Sequence, residues 1–483
     1  VLTHAHEDHM GAIPWLWERL QVPVYCTPFA AELLRRKLAE AGLLEIVDIR
    51  TVQLGDRVEI GAFDVEFVAV THSIPEPAAL AIRTPSGTIV HSGDWKLDRT
   101  PTIAPELDEK RLRQIGKEGV EALICDSTNV LREGHSPSER DVADVLTKVI
   151  EAAEDRVAVT TFASHLGRIT SVIRAARATG REIVVAGRAM RNVIEAAREV
   201  GLMKDLGTFI EEEAYGYLPR SKTLLLCTGS QGEPRAALAR IAGDTHPKIS
   251  LDKGDLVVFS SKTIPGNEKS VTAVINNLAL QGIDVLTSDT ALIHSSGHPR
   301  QDELKALYDW VKPRAVVPMH GEPAHLKRHA EFALSCGVDE AVMAQNGQMV
   351  QLCPGPAQII DDVGAGRIHI DGNVLVPSTD GPARARRKLS FAGIVMVSVV
   401  LDKKGKIIRK PQLQLDGLPE FDVDDEDMHE SLTMIAVDAL DAMPLARRRD
   451  DDAVTEMLRG AVRRLASQVW GKKPQCSVII HRI

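Results

Sequence analysis

Four times in this chain an apolar run ends on a histidine or an aspartate and then turns. His4 follows "VL", His72 closes "FVAVTH", Asp94 lies in "IVHSGD" and His320 closes "AVVPMH". Short apolar runs bounded by turn residues read as buried strands. Ligand-type side chains at several strand ends can meet only if those ends share one edge of a sheet, and this is the strongest constraint on the fold. The densest case is "HAHEDH". His4 and His6 alternate on one side of an extended segment that begins as a two-residue strand, Val1–Leu2, and Asp8 and His9 follow on the turn. "GAIPWLWERL" then reads as a helix with its N-terminus facing the site. Imidazole and carboxylate suit zinc, and ligands packed this densely suit two ions.

The remaining chain divides by rhythm. Its first third alternates short strands with turns. From Val120 onward, buried-looking strands ("EALICD", "RVAVTTFAS", "REIVVAG", "KTLLLCTGS", "DLVVFSS", "IDVLTS") alternate with helical stretches over Leu166–Ala178, Met190–Val200, Pro234–Ile241 and Asn267–Leu280. That alternation predicts a parallel sheet covered by helices. The last hundred or so residues read as a hairpin, two helices and a terminal strand, "CSVIIHRI". Six scattered cysteines without a C-x-x-C pair read as core thiols of a reducing compartment, the cytoplasm. A net charge of −9 weighs against a sequence-independent coating role on nucleic acid, though not against a nuclease whose basic residues line one cleft. No apolar run is long enough for a membrane span. The basic runs at Arg35–Lys37 and at Arg384, Arg386, Arg387 and Lys388 read as a solvated helix face and a solvated linker.

The ordered set H-x-H-x-D-H, strand-end histidine, G-D loop and late histidine resembles the metallo-β-lactamase superfamily. "CDSTN", "IHSSGHPRQDEL" and "MHGEPAHL" resemble its β-CASP nucleases, and "TFAS", "TGSQGEP" and "SSKTIPGNE" look like the bacterial ribonuclease J family among them. The similarity runs through essentially the whole chain. It implies an α/β architecture: a metallo-β-lactamase αββα sandwich with an inserted β-CASP parallel α/β domain and a small C-terminal α+β domain. The expected limits are 1–140 and 301–372 for the two parts of the first domain, 141–300 for the insertion, 373–389 for a linker and 390–483 for the C-terminal domain.

Matched by position, the resemblance implies two zinc ions per subunit: one on His4, His6 and His72, a second on Asp8, His9 and His320, with Asp94 bridging. Two ions ~3.5–4 Å apart can share a hydroxide and clamp an in-line phosphoryl displacement, leaving a 5′-phosphate and a 3′-hydroxyl. Asp8 is expected to orient the nucleophile. Asp126, at the end of "EALICD", would position His298, which would stabilise the scissile phosphate or protonate the leaving 3′-oxygen. Histidine at position 320 goes with RNA processing, since DNA-repair relatives tend to carry valine there. The implied activity is a zinc-dependent ribonuclease with endonuclease and 5′→3′ exonuclease action in rRNA processing and mRNA decay.

Several loops look built for phosphate: Ser164 and His165; Gly229, Ser230, Gln231 and Gly232; Ser260, Ser261 and Lys262; and His294, Ser295, Ser296, Gly297 and His298. They are read as backbone and hydroxyl clamps on single-stranded, 5′-monophosphorylated RNA. Relatives often carry asparagine where this chain has His165. His91 reads as a support for the G-D loop, and His325 and His329 as facing solvent or lying behind the ligands. A homodimer or homotetramer and RNA-decay or ribosome-associated partners are expected at family level. Two other readings compete: a small-molecule hydrolase of a thioester, lactone or lactam, and a non-catalytic partner subunit of a nuclease assembly. The long insertion between Asp94 and His320 argues against the first, and the intact ligand positions argue against the second. Relatives carry strands upstream of "VLTHAHEDH", including an Asp–Gly loop behind the metal site. A chain starting at Val1 is therefore expected to be an N-terminal truncation, poorly soluble or inactive by itself.

Overall fold

The strands from Val120 onward are apolar at nearly every position, so they need cover on both faces, and helices supply it. The computed structural model describes residues 1–103, 105–378 and 381–483. It forms two compact units, Val1–Gly364 and Ala365–Ile483.

The first unit holds two large sheets. One has seven strands, in the spatial order Glu340–Ala341, Pro313–Met319, Val120–Asp126, Gly87–His91, Ala78–Thr84, Phe63–Ala69 and Arg57–Ile60. The first four are parallel neighbours and the rest pair antiparallel. Val68, Ala79, Val90, Leu123 and Val316 turn to one face, where helices Glu109–Glu118, Gln301–Val311 and Pro323–Ser335 cover them with Leu112, Ile115, Leu307 and Ala333. On the other face Val65, Phe67 and Leu80 pack with Val52. A two-stranded parallel sheet, Val24–Cys26 with Ile49–Thr51, and helix Pro28–Glu40 accompany it. Val1–Leu2 is not a strand, contrary to expectation. Too short to pair on its own, it is held by single bonds, Leu2 N–H to the Tyr25 carbonyl and Ala78 N–H to the Thr3 carbonyl.

The second sheet has five parallel strands in the order Asp284–Leu286, Leu256–Phe259, Val157–Thr160, Thr223–Cys227 and Glu182–Ala186. Alternate residues face opposite helix layers. Val157, Val159, Leu224 and Leu226 meet helices Glu139–Ala152, Leu166–Ala178 and Arg188–Glu199. Ala158, Leu225 and Val257 meet Leu238, Val274 and Leu278 on the other side. The two sheets are joined through buried charge: Lys96, in the loop after Asp94, lies 3.0 Å from Asp98 and 3.5 Å from Glu139. Glu139 in turn takes two guanidinium bonds of 3.0 Å from Arg168 Nη2, and Arg168 is wholly buried.

In the second unit strand Ile394–Leu401 runs antiparallel to Ile407–Asp416 and parallel to Gln475–Arg482. Helices Met428–Asp441 and Asp451–Val469 bury Val395, Val397, Val399 and Leu401 beneath Leu432, Leu458 and Val462. The range 373–389, expected to be a linker, carries regular structure. Strand Val374–Pro377 pairs with Ile368–Asp371, and Gly381–Ala392 is a helix. "ARARRKL" is rich in strong helix formers, and that propensity outweighs the polar, turn-like look of the stretch.

Candidate metal centre and active site

The register of the seven-stranded sheet brings the dispersed residues together. Asp126 lies opposite Met319 in neighbouring strands, so Asp126 and His320 emerge side by side. His91 pairs with Ile124 one strand further, which sets the following loop and Asp94 at the same edge. His6 caps a one-turn helix, Glu7–Met10, that carries Asp8 and His9; the turn expected there is thus helical. Gly93 allows the tight approach: its φ is +58°, and a Cβ on it would sit 2.8 Å from the Ala78 carbonyl. His320 has a φ of 55° although it is not glycine, a strained backbone of the kind that concentrates at functional sites.

All seven residues expected to bind metal converge. Ligand atoms of His4, His6 and His72 lie within 4.8 Å of one another, and so do those of Asp8, His9, Asp94 and His320. Asp94 Oδ2 sits between the groups, 3.2 Å from His9 Nε2, 3.3 Å from His320 Nε2, 3.7 Å from His4 Nε2 and 4.0 Å from His72 Nε2. His4 Nε2 and Asp94 Oδ1 are buried without any hydrogen-bond partner, an arrangement that is costly unless a cation meets them. Burial holds His4 and His72 well below the usual imidazole value and brings His6 to about 4, so all three offer neutral lone pairs. On the other side burial opposes charge on His320, but the Asp8 hydrogen bond and the charges of Asp94 and Asp126 raise it to about 9. That side calls for positive charge. Thr3 Oγ1 and the Gly297 carbonyl fix the outer nitrogens of His4 and His72, at 3.0 and 2.6 Å, as partners behind metal ligands do.

Beside this group Asp126 is wholly buried, and its Oδ2 accepts from His298 Nδ1 at 2.7 Å. Burial pushes its carboxyl up, but His298, His320 and the Thr128 N–H outweigh that and hold it below the ordinary range. His298 is raised: burial works against its charge and Asp126 overrides it. Its ring packs against His72 and His320, with centroids 5.0 and 5.3 Å away. Sequence reasoning missed two supports. Thr128 donates both N–H and Oγ–H to Asp126 Oδ1, and its Oγ1 meets His320 Nδ1 at 2.9 Å. Asn129 donates to Ser296 Oγ and to the His298 carbonyl. Both stand in the quoted "CDSTN", directly after Asp126, and that adjacency was the available signal.

The loops expected to contact RNA divide. Gly297 approaches His72 so closely that a Cβ would lie 2.6 Å from its ring, and Ser296 takes the Asn129 bond, so this loop leans on the metal centre. His294 lies beside Arg168 and His165; burial first, then those neighbours, lower it to about 3. Ser164 is half-buried, and Gly229 and Ser230 line an open cavity. Gln231 instead links loops, donating to the Lys262 carbonyl and accepting from Ile264 N–H. Gly232 has φ +72°, and a Cβ there would meet the Ser270 backbone at 2.5 Å. Three of the side chains expected to contact RNA turn inward. His165 is buried, caps helix Leu166–Ala178 through Nδ1 and lies 3.4 Å from Glu139. Ser295 Oγ donates to the Pro137 carbonyl at 2.6 Å, and Ser260 Oγ donates to the Ile293 carbonyl at 2.6 Å. Ser261 is buried and Lys262 exposed.

Of the other histidines, His91 accepts from Gly93 N–H and so supports the G-D loop. His325 is half-buried and accepts from Glu322 N–H at its own helix start. His329 does not face solvent. It is fully buried between Ser127 Oγ, 2.8 Å from Nδ1, and Tyr308 OH at Nε2.

Comparison with known proteins places this geometry. Residues 1–177 match the family described as beta-lactamase superfamily domain, and residues 286–335 match the Zn-dependent metallo-hydrolase RNA specificity domain. The fold and site therefore define a metallo-hydrolase of the metallo-β-lactamase type carrying a β-CASP insert. Residues 154–278 match the ribonuclease J beta-CASP domain and residues 383–483 the ribonuclease J C-terminal domain. A ribonuclease J of Sinorhizobium meliloti is 50% identical over 483 residues, covering 100% of this chain and 86% of that protein. Ribonuclease J of Mycolicibacterium smegmatis is 40% identical over 83% of this chain and 72% of its own length. Ribonuclease J 1 of Streptococcus pyogenes is 39% identical over 84% and 73%. The chain belongs to the ribonuclease J family. A crystal structure of an Enterococcus faecalis protein of unknown function shares the fold, with a TM-score of 0.51 at 17% identity over 74% of this chain and 80% of that one.

Proposed function

We propose that this chain is a zinc-dependent ribonuclease that hydrolyses RNA phosphodiester bonds, with endonuclease and 5′→3′ exonuclease action, in RNA maturation and decay. One observation carries the reading: orphaned His4 Nε2 and Asp94 Oδ1 lie at the heart of a seven-residue ligand set, next to the Asp126–His298 pair. Two zinc ions, on His4, His6 and His72 and on Asp8, His9 and His320 with Asp94 between, would supply Lewis acidity and an acidified water when bound. Asp8 is the most exposed of the set, its side chain 63% accessible, and can accept a hydrogen bond from the attacking water. Asp126 accepts a hydrogen bond from Nδ1–H of protonated His298, which aims Nε2–H to donate to the scissile phosphate and then to give its proton to the departing 3′-oxygen. Ser164, Gly229, Ser230, His294, Ser296 and Gly297 would meet the RNA. Gln231, His165 and Ser295 would shape those loops from within. A small-molecule hydrolase has no use for the β-CASP and RNA specificity segments.

The same reading divides the chain into 1–140 and 301–372 for the hydrolase domain, 141–300 for the insert and 390–483 for the C-terminal domain. It also takes the assembly to be a homodimer or homotetramer, working in the cytoplasm with RNA-decay or ribosome-associated partners on 5′-monophosphorylated RNA. No helix among the described residues is long and apolar enough to cross a membrane. The test uses zinc-loaded protein and RNA labelled at either end, with 5′-monophosphate or 5′-triphosphate, beside matched DNA. RNA should be cut to 5′-phosphate products while DNA and the Asp8→Ala/His9→Ala reaction stay intact. Intact RNA beside a hydrolysed thioester or lactam would overturn the nuclease reading, and activity in the double variant would overturn the metal assignment.

A further inference from the structure

The chain carries a net −9, but its excess of acid lies outside the second unit. Residues 365–483 hold 19 lysines and arginines against 17 aspartates and glutamates. Part of that basic charge is concentrated on one short element, helix Gly381–Ala392, "GPARARRKLSFA". Positions i, i+3, i+4 and i+7 of a helix share a face, so Arg384, Arg387, Lys388 and Phe391 stand together. All four are exposed, Phe391 with 68% of its surface free. The opposite face carries Ala385, Leu389 and Ala392. Ala392 is buried, and Ala385 and Leu389 line a small hollow with Ile394, Cys476 and Ser477 of the unit's own sheet. The helix is thus seated by its small apolar side and shows its cations outward.

Those cations are not neutralised within the unit. Arg386 is spent on Asp371, at 2.6 Å. Among the described residues no carboxylate lies within 4.0 Å of the charged groups of Arg384, Arg387 or Lys388. Lys472 extends the patch: its Nζ donates to the Phe391 carbonyl at 3.0 Å and lies 4.7 Å from the centre of that ring. Like charges three and four residues apart weaken a helix, and a polyanion running past them reverses that cost.

The faces also define the partner. A helix that lies on a membrane needs a bulky apolar side to sink among lipids. Here the apolar side is small and already turned inward. A nucleic-acid backbone asks for spaced cations, and an aromatic ring beside them can stack on an unpaired base. We propose that helix Gly381–Ala392 and Lys472 form a docking surface for single-stranded RNA on the C-terminal unit. Arg384, Arg387 and Lys388 meet phosphates and Phe391 lies beside a base. None of these residues belongs to the metal-ligand set. The proposal rests on the ribonuclease reading for the choice of RNA as the polyanion.

The experiment measures the affinity of the full chain for single-stranded RNA with phosphorothioate linkages, over a series of salt concentrations. The parent is compared with Arg384→Gln/Arg387→Gln/Lys388→Gln and with Lys403→Gln/Lys404→Gln/Lys406→Gln. The second triple removes the same charge from exposed residues of the same unit. It lies in the turn beyond strand Ile394–Leu401, whose 8 residues set it about 26 Å from the helix. Both triples sit on the surface, so both should melt like the parent and hydrolyse bis(p-nitrophenyl) phosphate at the parent rate. In the helix triple, RNA affinity at low salt should fall at least about ten-fold. The slope of log affinity against log salt should shrink by about two. The turn triple should stay within about two-fold of the parent. Unchanged affinity and slope in the helix triple, or a parent that does not bind RNA, overturns the proposal. So does an equal loss in both triples, which would report net charge alone. Phosphatidylglycerol vesicles are the remaining arm. Vesicle binding lost in the helix triple while RNA binding holds would assign the surface to a membrane and overturn the RNA assignment. Failure of the ribonuclease reading would show separately, as intact RNA in the cleavage assay.

Discussion

The candidate metal centre has two unequal halves. His4, His6 and His72 are sunk in the protein, with His4 fully buried, and burial keeps all three imidazoles neutral. Asp8, His9 and His320 stand at the mouth, their side chains 63, 20 and 30% accessible, and the mouth is where carboxylate charge collects. The inner half resembles a structural site whose ligands are fixed before any ion arrives, and the outer half one that can exchange what it holds. Asp94 belongs to both, because one oxygen reaches histidines of each.

The sharpest way to break this comparison is Asp94→Ala. Losing the shared oxygen should disable both halves, lowering RNA cleavage by at least ~10³-fold and stripping bound metal as read by elemental analysis. Cleavage above a tenth of the parent rate, ~10⁻¹, would refute the bridging role. Next in size are His4→Ala and Asp8→Ala, which should both abolish cleavage yet differ in metal content. Asp8→Ala should retain about one ion per chain and His4→Ala clearly less. A chelator titration of the parent followed with a metal dye should show the same inequality as two phases, the faster from the outer half. Equal metal loss in the two variants, or a single phase, would erase the distinction. Asp126→Asn should keep the metal and lower the cleavage rate by ~10–100-fold, since the amide leaves His298 without its anionic partner. Metal loss in that variant would move Asp126 from positioning to ligation. The smallest effect is expected for His329→Phe, which strands Ser127 Oγ and Tyr308 OH in the interior. It should destabilise by about 2 kcal/mol in urea unfolding while metal content stays at the parent level.

The convergence of these histidines and aspartates was legible in the sequence, because ligand-type side chains at strand ends repeat a pattern that packing alone does not explain. The parallel insert was legible too, since continuous apolar strands separated by helical stretches admit few alternatives. Orientation within loops was not legible. Ser164, His165, Ser230 and Ser295 all sit in Gly/Ser-rich turns, yet His165 and Ser295 spend their polar atoms inside the protein. A hydroxyl or imidazole looks the same in a sequence whether its partner is RNA or a carbonyl distant in the chain. Lys96, Glu139 and Arg168 were overlooked for a related reason. They are charged residues that normally mark a surface, and only the tertiary fold pairs them in the interior. Helix Gly381–Ala392 was read as linker because its charges were weighed above its helix propensity.

Those buried charges have a mechanical consequence. Prising the insert from the first sheet along the Lys96–Glu139–Arg168 seam would uncover partners one at a time. Removing any one partner by mutation would strand the others in the interior, at a cost of about 3–5 kcal/mol. At this seam the insert and the first sheet are thus riveted to each other by charge rather than hinged like a jaw.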